Sequence, residues 1–146
     1  MINDLIKVTG ELKITVTNPE GNVKQEVVVP NLVVTTGKNL IASRLKDTTD
    51  AAMSHMAIGT GSTAAAAGDT ALGSEAGRVA LTSTTVTTNS VAYVASFGAG
   101  TGTGAITEAG LLNASSGGTL LCRTVFSVIN KGAADTLGIT WTVTVS

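Results

Sequence analysis

The sequence predicts an all-β, mainly antiparallel fold, a β-sandwich or Greek-key barrel with one short helix inserted near residues 37–46. Three observations carry that expectation. Apolar and polar residues alternate with period two in several segments, most cleanly over 137–145. β-Branched residues crowd the C-terminal half, where Thr is abundant. Gly, Pro, Asn and Asp punctuate the chain at short intervals, as turns between strands require. The length of 146 residues fits a single β-sandwich domain spanning 1–146, large enough to bury roughly two thirds of the surface the unfolded chain exposes. The lone Cys122 has no partner for a disulfide within the chain.

The first strand is Glu11 to Thr17, where Leu12, Ile14 and Val16 alternate with Lys13, Thr15 and Thr17. Asn18-Pro19-Glu20-Gly21-Asn22 is a turn by composition and Val23 to Val29 returns, so 11–29 forms an N-terminal hairpin. Pro30 lacks a ladder N–H and fixes φ, which breaks the sheet before 31–35 resumes an extended path. Thr36 is placed to cap the helix. Leu40, Ile41 and Leu45 share one side of it, with Lys38, Arg44 and Lys46 outside and an end near Asp47. Thr48 to Ser54 reads as loop, and His55 to Ile58 as a short apolar strand closed by Gly59-Thr60-Gly61. Asp69 is expected to cap one helical turn reaching Glu75.

From Arg78 onward, 78–146 reads as a C-terminal sheet. Val79 to Thr87 is rich in β-branched residues, and Val91, Tyr93, Ala95 and Phe97 alternate with Ala92, Val94 and Ser96. Gly98 to Gly104 is a flexible Gly/Thr loop before a strand at Ile106 to Leu112. In Leu120 to Ile129 one face carries Leu120, Cys122, Phe126 and Val128 and the other Leu121, Arg123, Val125 and Ile129, a strand covered on both sides. The last strand sets Leu137, Ile139, Trp141, Val143 and Val145 against Thr136, Gly138, Thr140, Thr142 and Thr144. A one-residue slip there turns every apolar side chain into water.

Composition narrows the function classes. A net charge of −1 supplies no excess of cations for phosphates or an anionic membrane, so neither nucleic acid nor membrane is an expected partner. Charged residues make up 13 % of the chain against the ~25 % of an average soluble domain, and mean hydropathy is positive. So sparse a charge points to a surface that meets other subunits, in a likeness-packed homo-oligomer. With 43 % hydrophobic residues the chain is not disordered. The N-terminal residues show no secretory apolar run, no segment reaches ~18 consecutive apolar residues, and one Trp with one Tyr makes no outer-membrane girdle.

Catalytic chemistry has little to draw on. His55 stands alone, and neighbours in an extended segment point opposite ways, so Ser54 and His55 are not expected to meet. One Cys and one His make no zinc cluster, and the close acids Asp47 and Asp50 lack an EF-hand pattern. The strings Gly59-Thr60-Gly61-Ser62-Thr63-Ala64 and Gly100-Thr101-Gly102-Thr103-Gly104-Ala105 fit G-x-G-x-x-A, but neither joins a strand to a long helix with an acid at the ribose position, so both read as β-turns. Cys122 is read as a core hydrophobe. No catalytic residue, cofactor or metal is expected. The interface or structural candidates are Arg78, Glu108, Arg123, Trp141, Gly59, Gly61, Gly100 and Gly102. Arg78 and Glu108 bracket a long uncharged interval, and Glu108 is expected to pair with Arg123 or Arg78.

Several blocks carry a resemblance. They are His55-Met56-Ala57-Ile58-Gly59-Thr60-Gly61-Ser62-Thr63, Asp69-Thr70-Ala71-Leu72 with Glu75 and Arg78, Gly100-Thr101-Gly102-Thr103-Gly104, Ile106-Thr107-Glu108-Ala109-Gly110, Cys122-Arg123-Thr124-Val125-Phe126 and Thr140-Trp141-Thr142. Together they resemble small bacteriophage tail-fibre-like structural proteins over roughly Met56 to Ser146, with Ala65-Ala66 where such proteins often carry a proline. The resemblance implies a non-enzymatic virion component made in the host bacterial cytoplasm and attached to tail fibre or baseplate. Its partners would be sister copies in a small cyclic ring, a trimer among the options, and other virion proteins. A capsid decoration protein and a host-glycan-binding module are the rival expectations. The 59–68 and 98–104 loops are the expected contact elements, their small residues letting another backbone approach.

Overall fold

The alternating segments pair into two five-stranded antiparallel sheets in a computed structural model that describes residues 5–46 and 50–146. The strands are β1 (Val8–Thr17), β2 (Val23–Pro30), β3 (Leu32–Val33), β4 (His55–Gly59), β5 (Glu75–Ala80), β6 (Ser83–Thr87), β7 (Ser90–Phe97), β8 (Gly104–Leu112), β9 (Leu120–Lys131) and β10 (Thr136–Val145), with α1 (Thr35–Arg44) between β3 and β4. The first sheet runs β2-β1-β10-β7-β6 and the second β3-β9-β8-β4-β5, an all-β sandwich.

Register follows the apolar pattern. Leu12 lies opposite Trp141 and Ile14 opposite Ile139, so β1 and β10 present one apolar face to the second sheet. There they meet Met56, Ile58, Ile106, Leu111 and Ile129 in one buried core, with Trp141 and Phe97 its largest members. Each fully buried aliphatic side chain contributes about 1.5–3 kcal/mol, so a register slip of one residue is prohibitive. The outer face of the second sheet is covered too. Leu120, Leu112, Ala57 and Val34 form a second buried cluster with Leu72 packed on it, and Leu72 belongs to a strap, residues 60–74, that crosses this face.

Several sequence expectations need correction. Residues 78–146 do not form a single sheet: β6, β7 and β10 join the first and β8 and β9 the second, with the chain changing sheets at Leu81-Thr82. The helix starts at Thr35, two residues before the expected 37, and its N-cap is Val34 without a side-chain bond. Thr36 instead donates from Oγ1 to the Leu120 carbonyl at 2.9 Å, because α1 rests on β9. Buried Gly37 allows that approach, since a Cβ there would fall 2.1 Å from the Leu121 carbonyl oxygen. Leu45 is 88 % exposed, as it lies past the helix turns that rest on β9. Asp69 caps no helical turn; 60–74 is irregular. In β9 a register shift between Leu111 and Leu112 turns Leu121 into the main core beside Cys122 and leaves Leu120 on the outer face, so Leu120 and Cys122 do not share a face. A second shift, between Ile106 and Glu108, brings Ile129 into the main core with Cys122, away from the expected face of Arg123 and Val125, and leaves Val128 48 % exposed; Val145, at the end of β10, is 43 % exposed. The helix ends at Arg44, short of the expected 46 and of Asp47, and residues 45–46 are a turn; Asp47 itself and the expected loop start at Thr48 lie outside the described residues.

Candidate functional site: a buried ionic clamp

Glu108 on β8 and Arg123 on β9 project from the outer face of the second sheet beneath the strap. The residue opposite Arg123 in the ladder is Gly110, so Glu108, two residues back on β8, is its diagonal neighbour on the same face, and the bare Gly110 makes room for the strap's Leu72, whose Cδ1 lies 2.5 Å from where a Cβ would be. Glu108 is fully buried and accepts five hydrogen bonds. Oε2 accepts from the Gly61 and Ser74 N–H groups at 2.7 Å each, and Oε1 from the Gly73 N–H at 2.7 Å. Arg123 Nε and Nη2 donate to Oε1 at 3.1 and 3.0 Å. Arg123 also donates from Nη1 to Asp69 Oδ2 at 2.8 Å and from Nη2 to the Thr63 carbonyl at 3.0 Å. Two carboxylates thus face one guanidinium, and the converging backbone N–H dipoles offset the surplus negative charge.

This geometry sets the protonation states. Burial pushes the Glu108 carboxyl up, but the N–H groups of Ser74 and Gly73, the Arg123 guanidinium and the Gly61 N–H outweigh it, leaving the group below its ordinary value. The Ala66 N–H does the same for Asp69 against partial desolvation, helped by Arg123. Both acids are therefore ionised at neutral pH and locked to internal donors. Gly59 and Gly61 make room: a Cβ on Gly61 would fall 2.3 Å from Glu108 Oε2, and one on Gly59 2.3 Å from the Ser74 carbonyl. The close backbone approach foreseen at these glycines is made by the chain's own strap and carboxylate. Thr107 closes the base of the strap by donating from Oγ1 to the Gly61 carbonyl at 2.7 Å.

The other candidates separate from the clamp. Arg78 does not reach Glu108; it forms a bidentate pair with Glu75 at 3.0 and 2.7 Å and donates to the Ala114 and Gly117 carbonyls, pinning the β8–β9 loop. Trp141 is fully buried in the main core and donates from Nε1 to Asn31 Oδ1 at 2.9 Å. Gly100 and Gly102 take φ of +80° and +67°, so the 98–104 loop is a sequence of left-handed turns. It is tied down by Gly100 N–H to the Ala133 carbonyl and by Lys131 Nζ to the Gly98 carbonyl, and Gly102 is buried over Ile58. Only Gly100 of that pair faces solvent.

Sequence reasoning missed two roles. Asp69 gives its charge to Arg123, and Asn31 holds the indole of Trp141, with neither residue part of any local pattern that predicts it. One exclusion also fails: Ser54 Oγ and His55 Nδ1 lie 2.8 Å apart, because Ser54 precedes β4 and escapes strand alternation. No third group orients the imidazole among the described residues, so the pair lacks the relay that activates a nucleophile. Burial pushes the Cys122 thiol well up, consistent with a core hydrophobe. Among the described residues no group of three or more His, Cys, Asp or Glu side chains is placed to hold a metal ion, and Asp47 of the acidic pair lies outside them. No protein-family model, curated protein or solved structure matches the chain.

Proposed function

We propose that this chain is a non-enzymatic structural protein of a bacteriophage virion, associated with tail fibre or baseplate and working by self-assembly and attachment to neighbouring virion proteins. The observation that carries this reading is the convergence of separate resemblance blocks on one buried clamp. Gly59 and Gly61, Asp69 and Leu72, Thr107, Glu108 and Gly110, and Arg123 come from four blocks far apart in sequence and meet under the strap. Their shared task is rigidity: the ionised groups are consumed by internal bonds. Exposed apolar residues offer attachment, with Ile6 and Leu45, at 79 % and 88 % exposure, rimming a groove between residues 6–9 and α1.

A glycan-binding module finds less support. Trp141 and Phe97 are fully buried, and Tyr93 and Phe126 are partly buried with surface spent on the core, so none of the four aromatics is presented as an open platform for a sugar ring. Immunogold labelling of intact particles tests the proposal. Gold at the tail end is expected, gold over the head shell moves the protein to capsid decoration, and unlabelled particles refute a virion role.

A further inference from the structure

We infer that β6 is a self-association edge, through which two copies of this chain pair antiparallel about a two-fold axis at Thr85 and join their first sheets into one. The inference deepens the self-assembly half of the reading above and does not depend on a position in a virion.

The sandwich has four edge strands, β2, β6, β3 and β5. An open edge is a row of unpaired N–H and C=O groups, and proteins ordinarily blunt it with charge, proline, a bulge or brevity. β2 carries Lys24 and Glu26, ends in Pro30 and is paired across a register shift at Val16/Thr17. β5 carries Glu75 and Arg78 and shifts register at Ile58/Gly59, and β3 is only 2 residues long. β6 has none of these devices. Its sequence, Ser-Thr-Thr-Val-Thr, is uncharged and exposed throughout and pairs with β7 without a shift.

The absence of charge extends inward. β10, β7 and β6 hold no Asp, Glu, Lys, Arg or His, and together they form one uncharged wing of the first sheet, β6 and β7 coming from the interval between Arg78 and Glu108. Such an edge offers nothing to a charged partner and nothing that repels its own copy. The core face of the sheet also runs out of cover there. Val143, Val91 and Val86 lie in one cross-strand row, hence on one face, yet exposure rises from 6 % at Val143 to 71 % at Val86. The second sheet ends at β5, which lies against β7, so β6 overhangs it.

A two-fold pair resolves both features. With Thr85 opposite Thr85, Thr84 of each copy faces Val86 of the other and Ser83 faces Thr87. These threonine and β-branched pairings are favourable across strands, and the outward backbone groups of β6 gain partners. An isologous contact of this kind closes on itself, as the smallest cyclic ring.

Analytical ultracentrifugation of the full chain tests the pairing, with hydrogen exchange at the outward-facing amides of β6, those not bonded to β7, as the second readout. The wild type is expected to be dimeric with those amides protected. Thr85→Lys or Thr85→Glu alone sets like charges at the axis and should raise the dissociation constant at least about five-fold, while an equimolar mixture of the two restores a heterodimer. Thr85 is exposed, so each variant is expected to fold, and a cooperative thermal transition from a wild-type circular dichroism spectrum will show it. A monomeric wild type overturns the inference, as do outward amides of β6 left unprotected, and so does the case where a strand of another protein fills the edge. A dimer indifferent to both Thr85 variants overturns it as well. A Thr85-dependent dimer alongside unlabelled particles supports the pairing and refutes only the virion role.

Discussion

Replacing Glu108 by glutamine keeps the side-chain shape and removes its charge, which isolates the electrostatic role of the clamp. Glutamine has one acceptor oxygen. Seated at the Oε1 position it keeps Gly73 and Arg123 and turns its NH2 toward the N–H groups of Gly61 and Ser74; flipped, it keeps those two and abandons Gly73 and Arg123. Either orientation strands at least two buried donors, at about 1–3 kcal/mol each. Removing one member of a buried ion pair costs about 3–5 kcal/mol, a figure that already contains such stranded donors, and Asp69, which stays on Arg123, keeps the loss from exceeding it. We predict a destabilisation of about 3–5 kcal/mol, equivalent to a fall in Tm of about 10 °C or more for a chain of this size. Thermal and urea unfolding by circular dichroism at pH 7 measure it, with hydrogen exchange at Gly61, Gly73 and Ser74 as the local readout. A Tm within about 2 °C of wild type, or amides still protected in the variant, would refute the clamp.

Three further outcomes are expected. Gly61→Ala should be strongly destabilising because its Cβ collides with the Glu108 carboxylate, whereas Gly98→Ala, with nothing within 4 Å, should be neutral within about 1 kcal/mol; equal melting temperatures for the two would contradict the packing described. Acid should unfold the protein: Glu108, Asp69 and Asp135, the last held down by the Lys24 ammonium at 2.6 Å, all have folded-state pKa values below ordinary. The unfolded chain then binds more protons, so stability is full above about pH 5 and drains as pH falls below about 4; a urea midpoint unchanged from pH 7 to pH 3 would count against it. Cys122 should resist thiol reagents in the native state and react on unfolding, and rapid native labelling would show that the core opens.

Alternation was the legible part of the fold. Leu12, Ile14 and Val16, and Leu137 to Val143, face the core as their period requires, because a half-buried strand has only one register that hides them. Inserted residues were not legible: the shift near Leu121 depends on how β8 meets β9, which no local pattern encodes. The helix boundary moved for a similar reason, since contact with β9 at Thr36 and Gly37 outweighed the preference for a hydroxyl cap. At the clamp, scarcity of charge singled out Glu108 and Arg123. The sequence spacing could not choose between Arg78 and Arg123, because the choice lies in the register that sets β9 beside β8 and in a strap brought from 47 residues away at Gly61.

The placement of β10 between β1 and β7 has a consequence for biosynthesis. Of the ten described strands, the one in the middle of the first sheet is synthesised after the other nine, and its partner β1 before them. Until residues 136–145 emerge, the β1–β2 and β6–β7 hairpins have no common neighbour and their apolar faces wait unpaired. Closure of the sheet therefore waits for the tenth strand and is slow by the measure of its sequence separation, and a chain cut before that strand exposes sticky hairpins to whatever chaperone stands nearby.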